Sequence, residues 1–259
     1  MITAGVDSGA QNVRIAIMKD GRVIGKALAP AGLNARDAAE EAYREALSGA
    51  GLTRKDVQRV FATGSGKRDC EFAHGNIAGL QACARGVNLV LPNARTVVEL
   101  GAEAGSVFRI NGSGDVTDLA VNEKCAAGAG VFLEAMARAL ETEVGKMADL
   151  YDRSKRRIAI YAHCAVFAES EVVSLVHAKT PKPDIVRAVL SAIAVRTASM
   201  VKRVGIEGQV AATGGVALNK GFVKALEEEL DVRITVPECP DYISAIGAAL
   251  AASDEKAEV

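Results

Sequence analysis

Tryptophan is absent from the 259 residues and aromatic side chains make up only 4% of them, so the chain offers no stacking platform for unpaired bases. Net charge is −1, without the excess of one sign that a nucleic-acid or anionic-membrane partner calls for. No apolar run approaches the ~18 residues of a membrane-spanning helix, and the opening MITAGVDSG reads as a strand and a turn rather than a signal peptide. A cytoplasmic protein with no nucleic-acid or membrane partner is expected. There is no Gly-x-x-x-x-Gly-Lys-Ser/Thr run and no strand-Gly-x-Gly-x-x-Gly-helix unit, which excludes a P-loop and a Rossmann site. Cys-x-x-Cys is missing too, and five cysteines are an odd number. A disulfide framework is therefore disfavoured against metal or redox use.

What is present is enough apolar material, 49% of residues, for a real core in one large or two ordinary domains. The chain also repeats itself. Thr3 to Gly21 reads as strand, glycine turn and strand, and Thr96 to Gly114 repeats that form. Each copy places an acid at a strand end, Asp7 or Glu99, and follows it with small residues, Ser8-Gly9-Ala10 or Gly101-Ala102. A second echo links Ala62-Thr63-Gly64, after the apolar strand Val57 to Phe61, with Ala212-Thr213-Gly214-Gly215-Val216, after Gln209 to Ala211. Helical periodicity intervenes at Ala35 to Ala50, Val131 to Leu140, Ala165 to Lys179, Ile185 to Val204, Gly221 to Leu230 and Ile243 to Ala252. Alternating β and α structure predicts an α/β fold in two similar halves. The first half spans residues 1–91 and the second 92–241, with the final helix, within 242–259, returning to pack on the first.

The glycine turns carry chemistry. Consecutive N–H groups at such a turn form an anion nest, and small residues let phosphate approach the backbone. Asp7 could then hold Mg²⁺ through water, because Mg²⁺ favours one or two carboxylates together with phosphate oxygens. Two such turns, with Gly214, Gly215 and Val216 ahead of the polar Asn219 and Lys220, suit ATP in a cleft between the halves, one half gripping phosphate and the other adenosine. The plain alternative is that strand-turn-strand hairpins use glycine for backbone reasons alone.

Two cysteines stand out. Cys125 lies in Asn122-Glu123-Lys124-Cys125-Ala126-Ala127-Gly128-Ala129-Gly130 and Cys164 in Ala162-His163-Cys164-Ala165-Val166-Phe167, each just ahead of a helical pattern. A thiolate at a helix N-terminus sees unpaired N–H groups and the positive end of the dipole. A [4Fe-4S] cluster needs four thiolates; one chain supplies two, and two chains about a two-fold axis supply four. Burial as small apolar residues is the competing fate of free cysteine.

These motifs, NEKCAAGAG and HCAVFAESEVVS followed by Ala212-Thr213-Gly214-Gly215-Val216-Ala217-Leu218-Asn219, resemble the BadF/BadG/BcrA/BcrD activator ATPases. That family belongs to the superfamily of acetate and sugar kinases, heat-shock chaperone ATPases and actin. The resemblance covers essentially the whole chain. It implies the duplicated actin-like, sugar-kinase-like (ribonuclease H-like) fold, with ATP between the halves. It also implies one [4Fe-4S] cluster, ligated by Cys125 and Cys164 of each of two related subunits, and Mg²⁺ with Asp7 at the nucleotide. On this reading Asp7, Glu99 and Glu103 serve hydrolysis, while Ser8, Gly9, Ala10, Gly101, Ala102, Gly214, Gly215, Val216, Asn219 and Lys220 hold ATP. Ferredoxin is the implied electron donor and a catalytic reductase or dehydratase component the acceptor.

One departure from the family pattern bears on this. Where such activators commonly read Asp-Ile-Gly-Gly-Gln-Asp, this chain has Glu99-Leu100-Gly101-Ala102-Glu103-Ala104. Glu103 stands in the place of a glutamine and Ala104 in the place of an acid, so water positioning or metal contact is altered. The variant points toward an ATP-binding subunit of a benzoyl-CoA reductase, with an activator of a 2-hydroxyacyl-CoA dehydratase as the alternative. A superfamily kinase with silent cysteines, or an actin-like scaffold without redox function, stands further off. A kinase needs a catalytic acid facing the γ-phosphate, and the second loop has lost much of that chemistry. Cys70, Cys83 and Cys239 read as core or incidental residues, His163 beside Cys164 as neutral packing, and Arg153, Lys155, Arg156 and Arg157 as a solvated helix end before a strand from Ile158 to Tyr161.

Overall fold

The computed structural model describes residues 1–122, 130–160 and 165–254. Cys125, His163 and Cys164 therefore lie outside the described residues.

Strand β1 (Ile2–Ser8) carries small and β-branched residues buried almost without interruption, the pattern of a strand covered on both faces. It takes the middle of a five-stranded sheet of order β3-β2-β1-β4-β5. β2 (Asn12–Lys19) and β3 (Arg22–Pro30) follow β1 through tight turns. β1 runs antiparallel to β2 with Asp7 opposite Arg14, and parallel to β4 (Arg59–Thr63) with Asp7 opposite Thr63. β5 is the short pair Gly75–Asn76.

A second five-stranded sheet has the order β10-β9-β6-β7-β8. Its strands are β6 (Ala94–Leu100), β7 (Gly105–Ile110), β8 (Val116–Asn122), β9 (Gln209–Thr213) and β10 (Ile234–Thr235). Adding five to each strand number of the first order, 3-2-1-4-5, gives the second in reverse reading, 8-7-6-9-10. The duplication legible in the sequence thus extends to strand topology.

The chain divides into two compact units. The first comprises Met1–Ala94, Ile110–Thr117 and Asp241–Val259; the second comprises Arg95–Arg109 and Asp118–Pro240. In the first, helix α1 (Ala35–Gly49) buries Ala38, Ala39, Ala42, Tyr43, Ala46 and Leu47, one stripe at helical spacing. Helix α2 (Gly79–Val90) packs with the last helix, α8 (Ile243–Ser253). Backbones meet there: a β-carbon on Gly247 would stand 1.7 Å from the Ala82 carbonyl oxygen, and one on Gly5 of β1 would stand 1.9 Å from that of Ala245. Thr3 Oγ1 donates to the Ala249 carbonyl at 2.8 Å and fixes the same contact.

The second unit inserts α3 (Gly130–Ala139), α4 (Met147–Asp152), α5 (Ala165–His177) and α6 (Lys182–Val204) between β8 and β9, and α7 (Lys220–Leu230) between β9 and β10. Phe132, Leu133, Met136, Met147, Ile185 and Phe222 centre its core. The strand expected from Ile158 is not formed over 158–160. Those residues alternate, with Ile158 and Ile160 leaning on the core and Ala159 exposed, but they have no ladder partner among the described residues. Ahead of them the basic run follows the end of α4. Asp184 accepts from Ser154 Oγ (2.9 Å), Lys155 N (2.8 Å) and Arg156 N (3.1 Å), which fixes that loop's backbone. Arg157 pairs with Glu228. No helix among the described residues is long and apolar enough to cross a membrane.

Candidate functional site

Each unit carries a glycine hairpin at the end of its acid-bearing strand, and the two are built alike. Between β1 and β2, Gly9 N donates to Asn12 O at 3.0 Å; between β6 and β7, Gly101 N donates to Ala104 O at 2.9 Å. Asp7 stands two residues before the first glycine and Glu99 two before the second. Each hairpin is backed by a glycine with positive φ at the end of the neighbouring strand, Gly64 (φ 87°) after β4 and Gly214 (φ 83°) after β9. A β-carbon on Gly64 would lie 2.4 Å from the Ser8 carbonyl oxygen, and one on Gly214 would lie 2.3 Å from that of Leu100. Only glycine has both the conformation and the room.

In the first hairpin the electrostatics are specific. Asp7 is half-buried, and burial pushes its carboxyl up to about 6, against a lowering by the Arg14 guanidinium and with a further raise from Asp241. Arg14 Nε donates to Asp241 Oδ2 at 2.9 Å, with both side chains largely buried. Beside them Ser8 Oγ and Thr63 Oγ1 are buried; among the described residues Thr63 Oγ1 lacks a hydrogen-bond partner, and Ser8 Oγ has the Cys70 thiol as its neighbour. An orphaned hydroxyl costs ~1–3 kcal/mol, which an anionic ligand with bound Mg²⁺ would recover; these donors fit a phosphate tail. Gly9 is partly exposed and Ala10 exposed at the turn. The Cys70 thiol, near Gly66 O at 3.8 Å, is pushed up to about 11 by burial, and Cys83 is fully buried; both are core residues.

In the second unit Glu99 accepts from Ser106 Oγ at 3.1 Å, and Glu103 is exposed on the hairpin turn next to the partly buried Gly101 and Ala102. The first turn of α3 is tied to the hairpin: Gly130 N donates to Gly101 O and Val131 N to Ala102 O, both at 2.9 Å. Gly214 N donates to Pro240 O at 2.9 Å, and Gly215 is exposed beyond it. Val216 sends its side chain into the core, which leaves its backbone as the part able to meet a ligand. Asn219 is used by the fold: its Oδ1 accepts from Phe222 N at 3.0 Å as the cap of α7, and its Nδ2 donates to Val144 O at 3.0 Å. Lys220, first residue of α7, is exposed. Sequence patterning alone does not single out Arg14 or Asp241, and it places Thr63 in a repeated turn and Gly130 in the Cys125 motif without giving either a role. The one signal for Arg14 is its standing as a lone charge in the apolar run Val13 to Met18; for Asp241 there is none.

A duplicated five-stranded sheet with a glycine hairpin after an acidic strand end defines the class: the actin-like and sugar-kinase-like nucleotide-binding fold. A ROK-family glucokinase from Streptomyces griseus, 14% identical, shares that fold with a TM-score of 0.60, covering 97% of this chain and 99% of its own. The match to the BadF/BadG/BcrA/BcrD ATPase family runs over residues 4–252, and the chain belongs to that family.

Among relatives, the activating ATPase of (R)-2-hydroxyglutaryl-CoA dehydratase from Acidaminococcus fermentans is 37% identical over 258 residues, 99% of this chain and 98% of the relative. Its solved structure superposes with a TM-score of 0.94, covering 97% of each chain. The 2-hydroxyisocaproyl-CoA dehydratase activator of Clostridioides difficile is 34% identical over 258 residues, 100% of this chain and 97% of the relative. Its solved structure, with bound ADPNP, has a TM-score of 0.93 and covers 97% of this chain and 94% of its own. One of the benzoyl-CoA reductase subunits of Thauera aromatica is 34% identical over 261 residues, 96% of this chain and 92% of the relative. The balance lies with the dehydratase activators, against the preference drawn from the altered hairpin: substitutions at Glu99, Glu103 and Ala104 change one turn, whereas the rest of the chain carries the wider likeness.

Proposed function

We propose that this protein is an activator ATPase that uses ATP to drive single electrons into a 2-hydroxyacyl-CoA dehydratase. The observation that supports this most is the pair of hydrogen bonds from Gly130 and Val131 to Gly101 and Ala102. They join a nucleotide-type hairpin to the helix that follows the Cys125 segment, so a change at the hairpin is passed to that helix. End-to-end likeness to two dehydratase activators supports the choice of partner.

Asp7 would hold Mg²⁺ through water, hairpin N–H groups other than those of Gly9 and Gly101, which close the turns, would hold phosphate oxygens, and Gly214 with Gly215 would leave room for the adenosine. Glu99 and Glu103 would order the water used in hydrolysis. Cys125 and Cys164 of two copies would together furnish four thiolates. The [4Fe-4S] cluster they would hold supplies one-electron transfer, from a ferredoxin-type donor to the catalytic dehydratase component. A benzoyl-CoA reductase partner is the second reading, supported by the altered hairpin sequence and by the likeness to a benzoyl-CoA reductase subunit.

The test mixes the anaerobically purified protein with a reduced low-potential donor and either a dehydratase or a benzoyl-CoA reductase catalytic component. Turnover that needs both ATP and this protein with the dehydratase, and not with the reductase, supports the proposal. Activation of the reductase alone reverses the choice of partner, and activation of neither removes the electron-transfer reading.

A further inference from the structure

Arg14 is held from behind. Its Nε donates to Asp241 Oδ2 at 2.9 Å, while its two terminal nitrogens carry no hydrogen bond among the described residues. Directly across the β1–β2 ladder stands Asp7, and cross-strand partners project from the same face of a sheet. A guanidinium fixed at one edge keeps its outer fork available, in the geometry suited to an oxyanion.

The position of Asp241 is itself fixed by packing. It lies in a short 3-10 turn, Pro240–Tyr242, that runs into α8. Lys26 sits over the Tyr242 ring at 5.4 Å. One helical turn further on, the Ala245 carbonyl meets Gly5 with no space for a β-carbon, and Gly5 is two residues before Asp7 on β1. The strand that places the acid and the helix that places its distant neighbour are thus locked together.

Resting on the ATPase reading, we propose that Asp241 is a positioning residue: it pins Arg14 beside Asp7 so that the outer edge of the guanidinium receives the phosphate tail of the nucleotide. Arg14 is the residue that touches the ligand, and Asp241 acts through it. An arginine without this pin sweeps several rotamers and loses that freedom each time nucleotide binds, which weakens binding.

The experiment measures ATP hydrolysis and the dissociation constant of ADPNP for the full chain, wild type and Asp241→Asn, alone and on an Arg14→Gln background. The asparagine keeps size and removes charge. Expected for Asp241→Asn are about tenfold increases in KM for MgATP and in the ADPNP dissociation constant, with kcat within about threefold. On the Arg14→Gln background the same change should have no further effect, because the group it positions is gone. Equal effects of Asp241→Asn on both backgrounds would overturn the proposal, as would a lowered melting temperature with unchanged KM and ADPNP affinity, since Asp241 would then be structural only. Failure of the wild type itself to bind ADPNP would instead remove the ATPase reading, and this inference with it.

Discussion

Gly64 sits so close beneath Ser8 that a β-carbon on it would stand 2.4 Å from the serine carbonyl oxygen, and Gly214 repeats the relation with Leu100 at 2.3 Å. The two contacts are one device used twice: a strand-end glycine in the left-handed region lets a neighbouring strand close against the acid-bearing strand and opens the hairpin mouth. Gly64→Ala and Gly214→Ala are each expected to cost ~2 kcal/mol or more from backbone strain and contact. Each should also weaken ADPNP binding by about tenfold or more, because the hairpin must shift. Thermal melting and ADPNP titration check this; alanine variants that match wild type in both would show that the close approach is not needed.

Asp7 ties stability to pH with a definite sign. Its folded carboxyl is raised from 3.8 to about 6, so the native state holds the proton more tightly than the unfolded chain. This contribution favours folding below pH 4, falls as pH rises from about 4 to 6 and is flat above. Ligand-free Asp7→Asn is therefore expected to melt a few degrees higher than wild type at pH 7.5, with the difference vanishing near pH 4, while MgATP turnover is lost. Paired melting curves across that range check the sign. A lower melting temperature for the variant at pH 7.5 would contradict the burial account of Asp7.

Gly130 offers a way to separate hydrolysis from its use. A β-carbon there would stand 3.3 Å from the Gly101 carbonyl oxygen, and a branched side chain could not keep the 2.9 Å hydrogen bond. Gly130→Val is expected to retain ATP hydrolysis within about fivefold and to lose ATP-dependent reduction of the catalytic partner by ~100-fold. Steady-state phosphate release and acceptor reduction, measured on one preparation, give the two numbers. Equal losses in both would mean that the hairpin and α3 are not a transmission element.

Packing of α8 sets a separate limit on the first unit. Gly247→Leu would force side-chain atoms into the Ala82 carbonyl, already 1.7 Å from an added β-carbon. A loss of stability above ~3 kcal/mol is expected, read as a lower urea midpoint or as failure to obtain folded protein. Tolerance of leucine there would show that α2 and α8 can move apart.

The hairpins and their acids are legible in the sequence because a tight turn needs small residues at fixed offsets from apolar strands, so Asp7, Gly9, Glu99 and Gly101 announce themselves twice. Helix α2 does not. It starts at Gly79 with no side-chain cap and holds Gly86 inside, a residue that local propensity disfavours there and that makes room for the Ile243 carbonyl of α8. Edge strand β8 exposes Leu119 and Val121, which blurs the inward and outward alternation a strand is read from. Ile158 and Ile160 have that alternation but no neighbouring strand among the described residues to complete it. The pairing of Arg14 with Asp241 spans 227 positions and follows from the return of α8 to β1, which no local pattern encodes.

Electron transfer as proposed requires two copies of this chain to share a cluster through Cys125 and Cys164. Iron and acid-labile sulfide per chain, determined on anaerobically isolated protein together with its mass in solution, probe that sharing without an assumed partner. Expected is a dimer with about two irons and two sulfides per chain, bleached by air and lost in Cys125→Ser or Cys164→Ser with ADPNP binding retained. A protein that binds ADPNP yet holds no iron after anaerobic reconstitution, with a dehydratase component present, would contradict it.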